Sequence, residues 1–240
     1  MRGAVTVCHL DSIPVDVQAT WPPVFFFVIW TLSDRFFPQL YPGWPSFGYW
    51  AIGLLSSVLL FGSLLAHEFG HAFVARWRGL SVFRVSLFFL GGVAEIDVDD
   101  GTASDEFWMA LAGPAVSILL AAVFAGVWLG TAATQPYLSA VALYLGISNG
   151  LLAAFNLLPG YPLDGGRVLR SVLWRLCGDQ GQATRWAGWC GQGIGGLGII
   201  AGLIALGTHH LLAGFWLVGV AVFLVLAARG ALLPSLLGPS

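Results

Sequence analysis

The chain has 240 residues, of which 58% are hydrophobic and 9% are charged. An ordinary soluble domain carries about 25% charged residues, so this composition excludes a fully hydrated surface. The formal net charge of −2 offers no basic surface for nucleic acid, and no nucleic-acid partner is expected.

Apolar stretches recur along the whole sequence. A helix needs about 20 predominantly apolar residues to cross a hydrocarbon core about 30 Å thick. Six spans are predicted, near residues 21–37, 47–75, 106–130, 137–158, 186–207 and 211–230. The sequence therefore predicts an all-α, multi-pass protein of the cell membrane, surrounded by the lipid bilayer.

Arginine sets the expected orientation, because the sequence contains no lysine and cytoplasmic loops collect positive charge. With six spans, every arginine except Arg35 falls on the same side of the membrane. Both termini are therefore predicted to be cytoplasmic.

A different pattern lies between the second and third predicted spans. Residues 82–90 are rich in β-branched and aromatic side chains, Gly91 and Gly92 offer a turn, and residues 93–99 alternate apolar with acidic. Period-two alternation around a glycine pair predicts a small β-hairpin over 82–99. Its edge is a candidate for binding an extended peptide, and plain structural support is the alternative.

His67, Glu68 and His71 belong to the sequence His-Glu-Phe-Gly-His at the end of the second predicted span. On a helix, positions i and i+4 share one face, so the two imidazoles are aimed at one point. This pattern is typical of zinc sites in which the intervening glutamate is the general base for a water molecule. Interfacial histidines beside a snorkelling glutamate are disfavoured, because uncompensated ionisable groups are costly at this depth. The site is predicted to open towards the cytoplasm.

A catalytic zinc site normally takes three protein ligands and leaves one position open, so a third ligand is required. The acidic candidates near the predicted spans are Asp34, Asp105, Glu106, Asp164 and Asp179. Asp164 is favoured because residues 156–167 contain two prolines and three glycines and interrupt the fourth span. Irregular backbone at that depth must line a protein or water-filled cavity. A turn residue ahead of two glycines is the alternative for Asp164.

Asn156 lies where the fourth span is interrupted. An amide at this position can hold the carbonyl or the oxyanion of a bound peptide. Asn156 is therefore a candidate catalytic and substrate-binding residue. Gly91 and Gly92 of the hairpin are the other substrate-binding candidates.

These motifs resemble the site-2 protease family of intramembrane zinc metalloproteases, in its compact prokaryotic form. The matching segments are HEFGH at 67–71, LGGVAEI at 90–96, AGP at 112–114 and NLLPGYPLDGGR at 156–167. Their order and spacing agree with the family over roughly residues 20–230.

The resemblance implies a single Zn²⁺ held by His67, His71 and Asp164, with Glu68 as the base and Asn156 as a substrate contact. It also implies hydrolysis of peptide bonds in membrane-spanning proteins, which is regulated intramembrane proteolysis. The substrates of such enzymes are commonly anti-sigma factors or other signalling proteins.

The whole chain, 1–240, is expected to form a single membrane protease domain. Its catalytic core is expected at 47–178, and its peripheral helices at 21–37 and 186–230. Many members of the family that this chain resembles carry asparagine at the position of Ser117. Whether Ser117 makes a polar contact is therefore left open by the sequence.

Two other functions fit part of the pattern. A zinc transporter or metal sensor would bind the ion without cutting, but it has no need of Glu68. A separate class of membrane protease takes a downstream glutamate as third ligand, but the aspartate-glycine motif argues against it.

Overall fold

A computed structural model describes residues 4–88, 91–97 and 101–237. The strands are β1 (Ala4–Leu10), β2 (Ile13–Gln18), β3 (Val82–Phe88) and β4 (Gly91–Ile96). The helices are α1 (Trp21–Thr31), α2 (Phe37–Leu40), α3 (Ser46–Trp77), α4 (Ala103–Thr131), α5 (Pro136–Asn156), α6 (Asp164–Cys177), α7 (Gln180–Gly207) and α8 (Leu211–Leu237). Two compact units divide the chain: residues 1–100 with 112–153, and residues 101–111 with 154–240.

In the described part of the chain, five helices are long and apolar enough to cross a membrane. They are α3, α4, α5, α7 and the Leu211–Gly230 part of α8. These five helices correspond to the second through sixth predicted spans. The predicted fold class, a mostly helical multi-pass protein with a small β element, is confirmed.

The first predicted span is helical over its whole length but is built from three segments. A π-helical segment, Leu32–Phe36, joins α1 to α2. Pro38 cannot donate a helical hydrogen bond, and its ring crowds the carbonyl one turn earlier, so the helix widens just ahead of it. At about 1.5 Å per residue the stretch from Trp21 to Leu40 is about 30 Å long, which matches a hydrocarbon core.

The first unit contains a four-stranded sheet in the order β1-β2-β3-β4. Strands β1 and β2 are antiparallel, β2 and β3 are parallel, and β3 and β4 are antiparallel. The predicted hairpin is therefore present as β3 and β4. Its prediction over 82–99 also covered residues 89–90 and 98–99, which lie outside the described residues.

The position of the two hairpin glycines differs from the prediction. Gly91 and Gly92 are not the turn, because they begin β4 opposite Phe88 and Leu87. Both glycines are therefore strand residues of β4. The alternation of apolar and acidic side chains predicted the two strands correctly, but it did not predict which residues of β3 and β4 pair with each other.

The sequence analysis did not identify the hairpin formed by β1 and β2. Its core residue Ile13 packs with Val85 against Ala72 of α3. Arg84 links the strands, since its guanidinium lies 3.1 Å from both Asp16 and Glu95. The hydrogen bond from Thr6 and the Arg84 guanidinium hold the pKa of Asp16 below its ordinary value, so the link stays charged at neutral pH.

Helix α5 is joined to α3 in the first unit through a buried amide. Asn149 donates to Ser63 Oγ at 3.2 Å and to the Leu145 carbonyl at 2.9 Å. Ile52 of α3 and Val141 and Leu145 of α5 belong to one buried apolar cluster. The interaction fixes the packing of α5 against the helix that carries the histidines.

In the second unit, glycines allow α7 and α8 to pack closely. A Cβ at Gly202 would lie 2.6 Å from Val218 Cγ2, and one at Gly195 would lie 2.6 Å from Val225 Cγ2. Helix α6 differs from these apolar helices, because it carries Arg167, Arg170 and Arg175.

Candidate metal centre

His67 and His71 lie one turn apart on α3, and both are buried, with 3% and 4% of their surface exposed. Their Nε2 atoms are 3.3 Å apart, and their ring planes are inclined at 78°. An unprotonated ring nitrogen is an acceptor with one lone pair. Two such nitrogens directed at one point are stabilised by a shared cation, and imidazole nitrogen is a preferred zinc ligand.

Gly113 of α4 provides the space in front of the two imidazoles. A Cβ at this position would overlap Nε2 of His71 and would lie 2.6 Å from Nε2 of His67. The two helices also approach at Gly70, where a Cβ would lie 3.0 Å from the Ala112 carbonyl. The Ala-Gly-Pro motif thus brings α4 against the histidines without filling the space between them.

Ser117 lies one turn after Gly113 and is fully buried. Its Oγ is 2.9 Å from Nδ1 of His67. When Nδ1 carries the proton and donates to Ser117, the lone pair of Nε2 is free to bind a metal. Ser117 therefore provides a polar contact at the position that the sequence analysis left open. Gly113 and Ser117 are missing from the predicted site, although their i, i+4 spacing places them on one face of α4.

Glu68 is half-buried and lies beside strand β4. A Cβ at Gly92 would lie 2.9 Å from the carboxyl carbon of Glu68 and 3.0 Å from its Oε1. A side chain at residue 92 would therefore displace the side chain of Glu68. The hairpin and the glutamate between the histidines form one continuous surface in the first unit.

In the second unit, Asp164 is the first residue of α6 and is buried. Gly165 and Gly166 follow it, and neither has room for a Cβ: the first lies against the Leu157 carbonyl and the second against the Tyr161 nitrogen. The backbone between α5 and α6 therefore folds back onto the first turn of α6. Asn156 is half-buried at the end of α5. The predicted interruption of the fourth span is confirmed.

The four other acidic candidates have interactions that account for them. Asp34 is exposed and lies 3.4 Å from Arg35. Asp105 accepts hydrogen bonds from the backbone nitrogen and the hydroxyl of Thr102, which forms a capping box at the start of α4. Asp179 accepts from the Gln182 nitrogen as the N-cap of α7. Glu106 binds Arg170.

Comparison with known proteins assigns the chain to a family. The model of Peptidase family M50 matches residues 55–133 and 127–189. The chain belongs to Peptidase family M50, and the resemblance to site-2 proteases is confirmed. Because the members are zinc proteases of the membrane, the family accounts for the histidine pair inside an apolar helix.

Individual relatives agree with this assignment. A Synechocystis protein provisionally named zinc metalloprotease sll0528 is 37% identical over 94% of this chain. The Mycobacterium tuberculosis protein provisionally named zinc metalloprotease Rip3 is 37% identical over 95% of it. The chain spans 59% and 58% of the lengths of these two relatives.

A solved structure agrees as well. The site-2 protease from Methanocaldococcus jannaschii matches with a TM-score of 0.63 and 25% identity, and the match covers 95% of both chains. The fold described above is thus similar to that of a solved site-2 protease.

The hydrogen bond between Ser117 and His67 predicts a measurable effect on metal binding. Ser117→Ala removes the acceptor that orients the imidazole, and zinc affinity should fall by about 10- to 100-fold. Ser117→Asn restores an acceptor and should retain most of the affinity. Competition with a chelating dye in detergent measures both values. Unchanged affinity in Ser117→Ala would show that the bond has no part in metal binding.

Proposed function

We propose that this chain is an intramembrane zinc metalloprotease that hydrolyses a peptide bond of membrane-spanning proteins. The observation that carries the proposal is the pair of buried Nε2 atoms, 3.3 Å apart, on a helix apolar enough to cross a membrane. Buried imidazoles without a cation would be costly there. Membership of Peptidase family M50 supports the same function.

One zinc ion is held, on this proposal, by His67, His71 and Asp164. All three side chains are buried, and each offers one ligand atom. Two imidazoles and one carboxylate form a donor set typical of catalytic zinc, and the fourth position stays open for water or substrate. Asp34, Asp105, Glu106 and Asp179 have the partners described above, and we propose the buried Asp164 as the third ligand.

Zinc, when bound, lowers the pKa of a water molecule and polarises the carbonyl that the water attacks. Glu68 takes the proton from the attacking water and delivers it to the leaving nitrogen. Its half-buried side chain suits this role, because water must reach it. Asn156 holds the substrate carbonyl through its amide.

The substrate is bound, we propose, as an extended strand along β4. In the described part of the chain, β4 is an edge strand that pairs only with β3. The Asp97 nitrogen donates to the Ser81 carbonyl at 2.9 Å, on the side of β3. Because N–H groups alternate along a strand, those of Ala94 and Ile96 point to the outer edge. Gly92 keeps this strand close to Glu68, and Gly91 is proposed as a further substrate contact at the start of the same strand.

The active-site opening and both termini face the cytoplasm on this proposal. Strands β2 and β3 are parallel neighbours, so the chain between them crosses the membrane an even number of times. Helix α3 provides one crossing and Trp21–Leu40 provides the other. The sheet therefore lies on the side of the N-terminus and of the last turn of α3, where Arg76 and Arg78 meet the positive-inside rule.

Glu68→Gln should abolish cleavage while leaving zinc bound, because it removes a base but no ligand. Loss of a general base costs about 10²- to 10⁴-fold in rate. Asp164→Ala should reduce zinc content and cleavage together, since it deletes a ligand. Cleavage of single-span candidate substrates in proteoliposomes is measured on the same preparation as zinc content.

Asp179→Ala is the matched acidic control, because it removes only a helix cap and should keep both zinc and activity. A Glu68→Gln protein with normal turnover would disprove the mechanism. A zinc transporter would keep its function in this variant, so retained zinc transport without any cleavage would favour that alternative. Full zinc content in Asp164→Ala would exclude Asp164 as a ligand.

Proline at Ala94 or Ile96 should reduce cleavage by at least about tenfold, which corresponds to the loss of one hydrogen bond. The outward N–H is the group removed, so zinc content and thermal stability should stay near those of the wild type. Ala94→Val keeps the N–H and is the matched control. Wild-type cleavage in both proline variants would rule out strand addition along β4.

Orientation is tested with cysteine labelling in intact cells. Cys177 at the end of α6, kept as the single cysteine, should react only with a permeant reagent, because it lies on the cytoplasmic side. His210→Cys in a background without Cys8, Cys177 and Cys190 should react from outside, since α7 separates residues 177 and 210. The reverse pattern would overturn the proposed orientation.

A further inference from the structure

Glu106 is a buried carboxylate in the first turn of α4, with 3% of its surface exposed. Its Oε1 accepts from Arg170 Nε at 2.8 Å and from a second nitrogen of the same guanidinium. Arg167 Nε lies 3.8 Å from the same oxygen. Within the described part of the chain, Oε2 of Glu106 has no hydrogen-bond partner. The two arginines therefore compensate the negative charge of the carboxylate through Oε1.

Arg170 also contacts the loop that precedes α6. Its guanidinium lies over the ring of Tyr161, 5.6 Å from the centroid. The Tyr161 nitrogen donates to the Ala187 carbonyl of α7 at 3.1 Å. Gly191, one turn further along α7, has no room for a Cβ because the Tyr161 carbonyl lies against it. Arg170 therefore connects α4, the loop and α6, and Tyr161 extends this connection to α7.

Helix α6 needs such a connection more than its neighbours do. Its last two turns are only partly packed, because Val172 is 41% exposed and Leu176 is 78% exposed. These two side chains therefore contribute little to holding the last two turns of α6 in place. Nε and Nη2 of Arg170 both donate to the single oxygen Oε1 of Glu106, and these charge-assisted bonds tie this turn of α6 to the first turn of α4.

Asp164 is the first residue of this helix and lies six residues before Arg170, which is about 9 Å along the axis. The close backbone contacts of Gly165 and Gly166 with the preceding loop make the first turn rigid relative to Tyr161. A displacement of α6 at Arg170 is therefore transmitted to the Asp164 carboxylate.

We propose that Glu106 and Arg170 are positioning residues that hold α6 so that Asp164 can bind zinc. The inference rests on the proposed function, because it takes Asp164 as a ligand. It assigns no direct contact with zinc or substrate to Glu106. The acidic residue that sequence reasoning placed among the possible ligands thus acts through its arginine partner.

The test is a double-mutant cycle on zinc affinity, measured by dye competition on folded, metal-free protein in detergent. Glu106→Gln and Arg170→Lys should each weaken zinc binding by about 10- to 100-fold, as the loss of outer supports does. In an Asp164→Ala background, Glu106→Gln should cause no further loss, because the residue acts only through Asp164. Arg175→Gln, on the exposed part of the same helix, should leave the affinity unchanged.

Three results would overturn the proposal. Both single variants could bind zinc with wild-type affinity, or the losses from Glu106→Gln and Asp164→Ala could simply add. Failure of both single variants to fold would assign the pair to the fold as a whole. Failure of the proposed function is distinct, because Asp164→Ala alone would then retain full zinc affinity.

Discussion

A polar or ionisable side chain inside a hydrocarbon layer is stable only when a partner compensates it. This constraint accounts for the pairing of most polar groups within the described helices. His67 is joined to Ser117 at 2.9 Å, Asn149 to Ser63 at 3.2 Å, and Glu106 to Arg170. Each of these bonds links residues that are far apart in sequence. The interactions that avoid the cost of an uncompensated polar group therefore also hold the helices together within each unit.

Compensation of this kind requires backbones to approach closely, and glycine makes the approach possible. Gly113 leaves the space in front of the two imidazoles, and Gly92 leaves the space that Glu68 occupies. Gly165 allows the loop before α6 to lie on its first turn. Because van der Waals packing rather than the exclusion of water drives helix association in lipid, small residues at these positions allow close contacts within each unit.

Sequence patterns predicted the parts of this protein that depend on local order. Length and hydropathy predicted the membrane spans, and the i, i+4 spacing predicted the histidine pair. A cluster of proline and glycine predicted the interruption before Asp164. The contact of His67 with Ser117 bridges 50 residues, and the parallel pairing of β2 with β3 joins strands separated by two helical stretches. Such contacts depend on tertiary packing, for which period and composition carry no signal. The register of β4 was missed for the same reason.

The presence of a sheet beside a zinc helix follows from the chemistry of the proposed substrate. A transmembrane helix satisfies its own backbone hydrogen bonds, and its carbonyls are shielded until the helix unwinds. Unwinding in hydrocarbon exposes N–H and C=O groups, each at a cost of several kcal/mol. An edge strand offers replacement partners at the point where they are lost, and a glycine at residue 92 lets that strand approach the base. On the proposed function, the edge of β4 would offset the cost of unwinding next to Glu68, which a bundle of helices alone could not do.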